Sequence, residues 1–220
     1  MLKFSEFLPK ASNNWAKITL AMYLILFVVC AYKPWVMSLW ITENTIAVAT
    51  VVTLIACYTR GVRFSNLAYT LMLLALCCQT IGGHYCFGDV PFDFVTKLFG
   101  FERNNYDRMG HFMVGFFALP AMEYFESRGL IRNRNLNALL VVLAIFGIAG
   151  IFEIIEWLYA EIMTKVRAKD IGNAFLGSQG DIWDAQKDML CDGLGAMTTA
   201  IIYKIRYRCK DVCKIIKYKC

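Results

Sequence analysis

Long apolar runs constrain this chain more than any other feature of its sequence. Six apolar stretches follow one another, at about 16–32, 36–58, 64–82, 106–124, 136–160 and 185–203, and a helix needs about 20 apolar residues to cross a bilayer. The fourth stretch reaches that length only with the flank that begins at Tyr106, and Glu43 and Asn44 interrupt the second, so we expect its membrane part to begin near Thr45. Because backbone groups in lipid must pair within the chain, the runs predict an all-α, polytopic membrane helix bundle of about six spans.

The composition agrees with a bundle that is buried partly in lipid. Hydrophobic residues make up 58% of the 220 residues and charged residues 18%, whereas soluble domains carry roughly 25% charged residues. This length suits a single integral membrane domain, residues 1–220. The first run follows three lysines without a small-residue cleavage site, so we interpret it as a retained helix. The net charge of +6 accompanies no nucleic-acid motif, so the expected partner is the lipid bilayer and not a nucleic acid.

The basic residues predict the orientation of the helices. With the N-terminus inside, 15 of the 23 Lys and Arg fall in cytoplasmic segments, whereas 13 of the 17 acids fall outside or in the outer halves of helices. The positive-inside rule favours this arrangement, with both termini cytoplasmic and residues 204–220 as a basic cytoplasmic tail. The tail cysteines Cys209, Cys213 and Cys220 lack the tight spacing of a zinc ribbon, so we expect free thiols there.

Ionisable side chains at membrane depth are costly, so each needs a partner, water or an ion. In the last apolar stretch Asp181, Asp184, Asp188 and Asp192 are spaced by three, four and four residues, which places them on one helical stripe. Gly195 continues the stripe and permits close approach of another helix. A solvated helix face explains the first two aspartates, but it explains Asp192 poorly because that residue has apolar neighbours. Four carboxylates on one stripe repel each other, and a cation or a metal would offset that repulsion.

Two earlier stretches add polar groups at the same predicted membrane face. Glu153 and Glu156 lie one turn apart in the fifth stretch, and Glu156 has the alternative of reaching the interface beside Trp157. Asp107 and His111 lie four residues apart in the fourth stretch, so they share a helix face, although a capping role for Asp107 is an alternative.

Two further polar residues complete the candidate set. Arg108 could extend to the interface. His84 closes the third stretch, and both histidines fall at the face that carries most of the acids.

Four stretches of the sequence carry a resemblance to a known family. They are Gly-Gly-His-Tyr at 82–85, Asp-Arg-Met-Gly-His-Phe at 107–112, Glu-Ile-Ile-Glu-Trp at 153–157 and the long segment 175–189. On these motifs the chain resembles the bacterial inner-membrane YjdF family, which implies a multi-pass protein of the bacterial inner membrane. A weaker resemblance links Asp107, Arg108, His111, a glutamate and Asp188 to VanZ-like membrane proteins of the cell envelope. The chain departs from that pattern with Glu156 where Gln is usual and with Asp192 where Asn is usual.

Three functions remain open from the sequence. The first is a metal-assisted hydrolase or transferase that acts on a lipid-linked or cell-envelope molecule from the outer leaflet, with Mg²⁺, Mn²⁺ or Zn²⁺ as the cation. The second is an ion- or proton-coupled transporter, and the third is a non-catalytic protein with a structural polar network. For the first, the catalytic candidates are Glu153, Glu156, Asp188, Asp192 and Arg108. The candidate metal ligands are His84, Asp107, His111, Asp181, Asp184 and Asp188.

Overall fold

The computed structural model describes residues 13–166 and 178–217, and every regular element in these two ranges is helical. The α-helices are α1 (Asn13–Ala31), α2 (Met37–Thr59), α3 (Asn66–Tyr85), α4 (Asp93–Phe99), α5 (Tyr106–Val114), α6 (Ala118–Ser127), α7 (Arg134–Lys165) and α8 (Asp184–Lys217). The side chains of Cys209, Cys213 and Cys220 lie outside the described part, so the expectation of free thiols in the tail stays a prediction.

Four helices are long and apolar enough to cross a membrane, namely α1, α2, α3 and α7. They coincide with four of the predicted apolar stretches. The other two predicted spans correspond to the broken segment from α5 to α6 and to α8, which carries several charged residues. The all-α membrane fold is therefore confirmed, whereas the number of six crossings and the orientation stay predictions.

Helix α2 runs without a break through Glu43 and Asn44. Both side chains are turned inward, with residue exposures of 8% and 2%, and Gln79 of α3 donates to Oε2 of Glu43 across 3.1 Å. Gly83 of α3 makes room for this contact, because a Cβ at that position would lie 2.9 Å from Nδ2 of Asn44. The two polar residues that interrupt the apolar pattern are thus part of the helix packing.

The fourth apolar stretch forms two short helices joined by a 3-10 turn, Gly115–Phe117. Pro120 explains this break, because proline has no N–H to donate to the carbonyl of Phe116, four residues earlier. The amide of Ala118 donates instead to the carbonyls of Gly115 and Phe116. The turn places a glycine against α8.

The segment from α5 to the 3-10 turn packs backbone against backbone on α8. A Cβ on Gly195 would lie only 1.9 Å from the carbonyl oxygen of Phe112, and a Cβ on Gly115 would lie 2.3 Å from the amide nitrogen of Ala196. Helix α8 also packs against α7, while α1, α2 and α5 pack against α3. Below the glycine contact the core is apolar and includes Leu119 and Met122, both fully buried.

A candidate metal centre at one end of the bundle

His111 is the centre of a buried polar cluster at the end of the bundle where α3 ends and where α5 and α8 begin. Its Nδ1 lies 2.9 Å from Oδ2 of Asp192 on α8. An acceptor at this distance favours a proton on Nδ1, and in the neutral ring Nε2 then carries the lone pair. A carboxylate that orients an imidazole in this way is the common partner of a metal-binding histidine.

Acidic side chains surround the other ring nitrogen of His111. Nε2 lies 3.8 Å from Oδ1 of Asp107 and 3.9 Å from Oε1 of Glu153. One ligand atom each from Asp107, His111 and Asp188 lies within 4.8 Å of the other two. Protein oxygens and nitrogens bind Zn²⁺ at about 2.0–2.2 Å, so two ligands of one such cation lie at most about 4.4 Å apart, and a side-chain shift of a few tenths of an ångström would bring these three atoms within that range. These three residues could therefore hold one cation, with Glu153 beside it.

Several carboxylate oxygens in the cluster have no hydrogen-bond donor among the described residues. They are Oδ1 of Asp188, Oδ1 of Asp192 and Oε1 of Glu153, and all three atoms are buried. The side chain of Asp188 is only 4% exposed. A buried acceptor without a partner costs free energy unless a proton, a water molecule or a cation satisfies it. The cluster thus has the capacity to bind a positive group.

Helical spacing and the glycine contact explain why these side chains meet. Asp188 and Asp192 are one turn apart on α8, and Asp107 and His111 are one turn apart on α5, so each pair points from one helix face. The contact of Gly195 with the backbone of α5 brings the two faces together. A larger residue at this position would hold the helices apart and would separate His111 from Asp192.

Basic side chains lie along the rim of the cluster. Oδ2 of Asp181 accepts from Nη2 of Arg108 and, across 2.6 Å, from Nζ of Lys187. Arg103 donates to Oδ1 of Asp184, and Arg108 reaches the same oxygen across 3.3 Å. Asp181 and Asp184 are therefore neutralised by basic partners, in contrast to the deeper acids around His111.

The neighbours of Asp181 change its acidity. The hydrogen bond from Lys187 holds the pKa of this carboxyl below its usual value, and the amide of Trp183 and the Arg108 guanidinium add to the effect. Asp181 is thus an anion in the folded protein at neutral pH.

Comparison with known proteins decides the family. The model of a family described as "Predicted membrane protein (DUF2238)" matches residues 16–209. The chain belongs to this family. It is also similar to the inner membrane protein YjdF of Escherichia coli strain K12, with 36% identity over 201 residues, which are 90% of this chain and 91% of the relative. No solved structure matches the chain. The resemblance to the YjdF family is thus confirmed, whereas the VanZ-like resemblance is not shown and stays a prediction.

In this DUF2238 protein most of the predicted site residues share one end of the bundle. The cluster and its rim contain Asp107, Arg108, His111, Glu153, Asp181, Asp184, Asp188 and Asp192. Their assignment as catalytic residues or metal ligands stays a prediction.

His84 takes a different position from the other predicted metal ligands of this protein. Its Nδ1 lies 2.8 Å from the carbonyl oxygen of Cys30 on α1, and its ring packs edge-on against Tyr85. These contacts turn His84 toward α1, so no described contact supports the metal-ligand role that the sequence predicts for it.

Two residues of the site are absent from the sequence prediction. Glu43 lies within electrostatic range of Asp107 and Glu156, so α2 adds an acid to the cluster. Arg103 precedes α5 and bridges to the start of α8. The sequence did carry a signal for Glu43, because a glutamate inside an apolar run is the feature that made Glu153 and Glu156 candidates. Arg103 stands in a polar loop, where an arginine is unremarkable.

A second polar network lies at the opposite end of the DUF2238 bundle. Glu126 accepts from Tyr203 across 2.6 Å and from Arg134 across 2.8 Å. The fully buried Glu123 accepts from the amide of Ser65 across 2.8 Å. These bonds tie α3, α6, α7 and α8 together.

Proposed function

We propose that this protein is a metal-dependent hydrolase or transferase of the bacterial inner membrane that acts on a lipid-linked or envelope substrate. The observation that carries the proposal is His111, which Asp192 orients so that Nε2 faces Asp107 and Glu153, in one potential ligand group with Asp188. The similarity to the Escherichia coli inner membrane protein YjdF supports the inner-membrane location. The Lys and Arg distribution supports an extracytoplasmic position for the cluster.

The balance of charges supports a bound cation. Among the described residues of the cluster and its rim, eight carboxyl side chains meet three basic side chains, and His111 adds a fourth positive charge only if it is protonated. The acids are Glu43, Asp107, Glu153, Glu156, Asp181, Asp184, Asp188 and Asp192, and the bases are Arg103, Arg108 and Lys187. Carboxylates that share a low-dielectric site repel each other strongly. A divalent cation held by Asp107, His111 and Asp188 would reduce that repulsion.

The donor set narrows the identity of the cation. An imidazole nitrogen with carboxylate oxygens suits Zn²⁺ or Mn²⁺, whereas Mg²⁺ prefers an all-oxygen shell with several waters. The orienting contact from Asp192 is the arrangement found behind zinc-bound histidines. We therefore expect Zn²⁺ or Mn²⁺ in preference to Mg²⁺.

The surrounding side chains supply the remaining parts of a hydrolytic or transfer reaction. A cation held by Asp107, His111 and Asp188 would activate a water molecule or polarise a phosphoryl or acyl oxygen. Glu153 is placed to accept a proton from such a water, because its buried Oε1 accepts no hydrogen bond from a described residue. Arg108, 3.9 Å from Asp188 through Nε, is placed to hold an anionic oxygen of the substrate beside the cation.

A transporter is the second candidate, and the broken segment from α5 to α6 is the observation in its favour. Discontinuous helices beside an ion site are common in secondary transporters. Against it, the described core between the two polar networks is apolar and tightly packed, with Ala118, Leu119 and Ala196 fully buried. A transport path would have to open through this layer, so we favour chemistry at one membrane face.

Elemental analysis of the purified full-length protein in detergent tests the proposal. Wild type and the control Asp93→Asn, which changes an exposed acid of α4, should each carry about one Zn²⁺ or Mn²⁺ per chain, as expected for one ligand set. Asp188→Asn keeps the size of the side chain and removes its charge, so the metal should be lost. Chelator should lower the melting temperature of wild type and leave that of Asp188→Asn unchanged.

Two results would contradict the enzyme proposal. One is a metal-free wild type whose melting temperature does not change with chelator, together with an Asp188→Asn variant of equal stability. That outcome would indicate a structural network in which the substitution only relieves repulsion between carboxylates. The other is a proton- or cation-driven flux through proteoliposomes that Asp188→Asn abolishes, which would favour transport.

A further inference from the structure

Three cations converge on one carboxylate oxygen at the rim of the metal cluster. Oδ2 of Asp181 lies 2.5 Å from Nη2 of Arg108, 2.6 Å from Nζ of Lys187 and 3.8 Å from Nη1 of Arg103. The cations come from three places in the chain, namely the loop before α5, α5 itself and α8. The two arginines also contact Asp184, and Arg108 lies 3.9 Å from Asp188, so three positive charges meet three carboxylates here, and displacement of Asp181 would open a position for another anion.

The carboxylate that fills this position belongs to a loop and not to a helix. Asp181 follows Gln179 and Gly180, whose φ angles are +46° and +86°, so a left-handed turn presents it to the three bases. Its side chain is 17% exposed and that of Lys187 is 46% exposed. The position is therefore open to the outside, unlike that of Asp188 below it.

Exposed apolar side chains flank the three bases in sequence. Ile182 and Trp183 follow Asp181 directly and are 84% and 59% exposed. Phe99 and Phe101 precede Arg103, are also exposed, and stack on each other with ring centroids 5.6 Å apart. Aromatic side chains beside charges are typical of the membrane–water interface. Such a rim suits a ligand with an anionic head and an apolar tail.

We propose that Arg103, Arg108 and Lys187 bind the phosphate group of a membrane lipid or lipid-linked substrate, and that Asp181 occupies the phosphate position when no substrate is bound. Guanidinium groups match phosphate oxygens in geometry and charge, and phosphate carries more charge than the carboxylate it displaces. This inference rests on the proposed function for the reaction itself, and it adds the identity of the substrate's anionic group. Arg108 joins the two sites, since its Nε lies 3.9 Å from Oδ1 of Asp188.

Ligand binding by the full-length protein in detergent tests this assignment with three soluble probes. The probes are inorganic phosphate, dihexanoyl phosphatidic acid and uncharged dihexanoylglycerol, each titrated by calorimetry with chelator present so that the metal site does not contribute. Asp181→Asn removes the internal competitor but keeps a side chain that can accept from Trp183. It should bind phosphatidic acid about tenfold more tightly than wild type, the size of effect expected for one charge-assisted hydrogen bond. Asp93→Asn should match wild type.

Lys187→Met is the complementary variant, because its side chain is half exposed and its loss should not disturb folding. We expect at least tenfold weaker binding of phosphatidic acid, as for loss of a charged hydrogen bond. Phosphatidic acid should bind more tightly than inorganic phosphate, and dihexanoylglycerol should not compete.

The binding result and the metal result are separable. Equal or weaker phosphatidic acid binding by Asp181→Asn, or unchanged binding by Lys187→Met, would show that the three bases only hold the loop, and would overturn the inference. Inorganic phosphate binding as tightly as phosphatidic acid would overturn the assignment to a lipid. Metal analysis on the same preparations reports on the proposed function alone, because phosphate binding is measured with chelator.

Discussion

Replacement of Gly195 by alanine should separate α5 from α8 and open the metal cluster. The added Cβ would lie 1.9 Å from the carbonyl oxygen of Phe112, and real Cβ atoms essentially never approach another atom within 3.0 Å. The backbones must part by about 1 Å or more, because a carbonyl of a packed helix cannot rotate away as a flexible side chain can. His111 precedes Phe112, so the same displacement stretches its 2.9 Å contact with Asp192 beyond hydrogen-bond distance.

The expected loss of stability combines two effects. Overpacking of a close contact costs about 1–3 kcal/mol, and loss of a charge-assisted hydrogen bond costs about 1.5–3 kcal/mol. Together they predict a loss of roughly 3–5 kcal/mol, or roughly 10 °C in melting temperature for a chain of this size. The metal content should fall as well, since the orienting carboxylate moves away from His111.

Gly147→Ala provides the matched control for this experiment. Gly147 lies in the interior of α7, and a Cβ there would meet no atom within 4 Å. Alanine should be neutral or should stabilise the helix by up to about 1 kcal/mol. Thermal unfolding in detergent, followed by intrinsic fluorescence, measures both variants. Equal melting temperatures and equal metal content for Gly195→Ala and Gly147→Ala would refute the argument that the glycine contact assembles the site.

Three further predictions follow from other parts of the molecule. Alkaline phosphatase fused after Ser178 should be active and after Arg132 inactive, because the Lys and Arg distribution places these points outside and inside; the reverse pattern would put the cluster in the cytoplasm. Because the pKa of Asp181 is lowered in the folded state, its carboxylate stabilises the fold at every pH above its unfolded pKa of about 4, and this stabilisation is lost as the pH falls through the folded pKa. The difference in melting temperature between wild type and Asp181→Asn should therefore be present at pH 7 and should shrink below pH ~4. Tyr203→Phe removes the donor to Glu126 and should cost about 1–3 kcal/mol with unchanged metal content; loss of metal would show that the two ends of the bundle are coupled.

The apolar runs predicted the helices well because burial in lipid leaves the backbone no alternative to helical pairing. The predicted stretches at 136–160 and 185–203 lie within α7 and α8. The break at Gly115–Phe117 escaped the prediction even though Pro120 stands in the sequence, because proline within a membrane helix is compatible with either a continuous or an interrupted helix.

The site was predictable where helical spacing places residues on one face, as for Asp107 with His111 and for Asp188 with Asp192. Contacts between distant segments were not predictable in this way. His84 faces α1 and not the cluster. Each residue along a helix turns the side-chain direction by about 100°, so a prediction of membrane depth alone does not tell which neighbouring helix the side chain faces. Glu43 was taken as an interruption of an apolar run, because only the packing of α2 on α3 shows which way it points.

Helix α8 is anchored at two levels that lie far apart along its axis. Asp192 is fixed by His111 near one end, and Tyr203 is fixed by Glu126 near the other, eleven residues or about 16 Å further along. A piston movement of α8 along its axis would have to break both attachments at once. Helix α8 should therefore keep its register relative to α5 and α6, so that the two polar networks hold a fixed separation along the bundle axis.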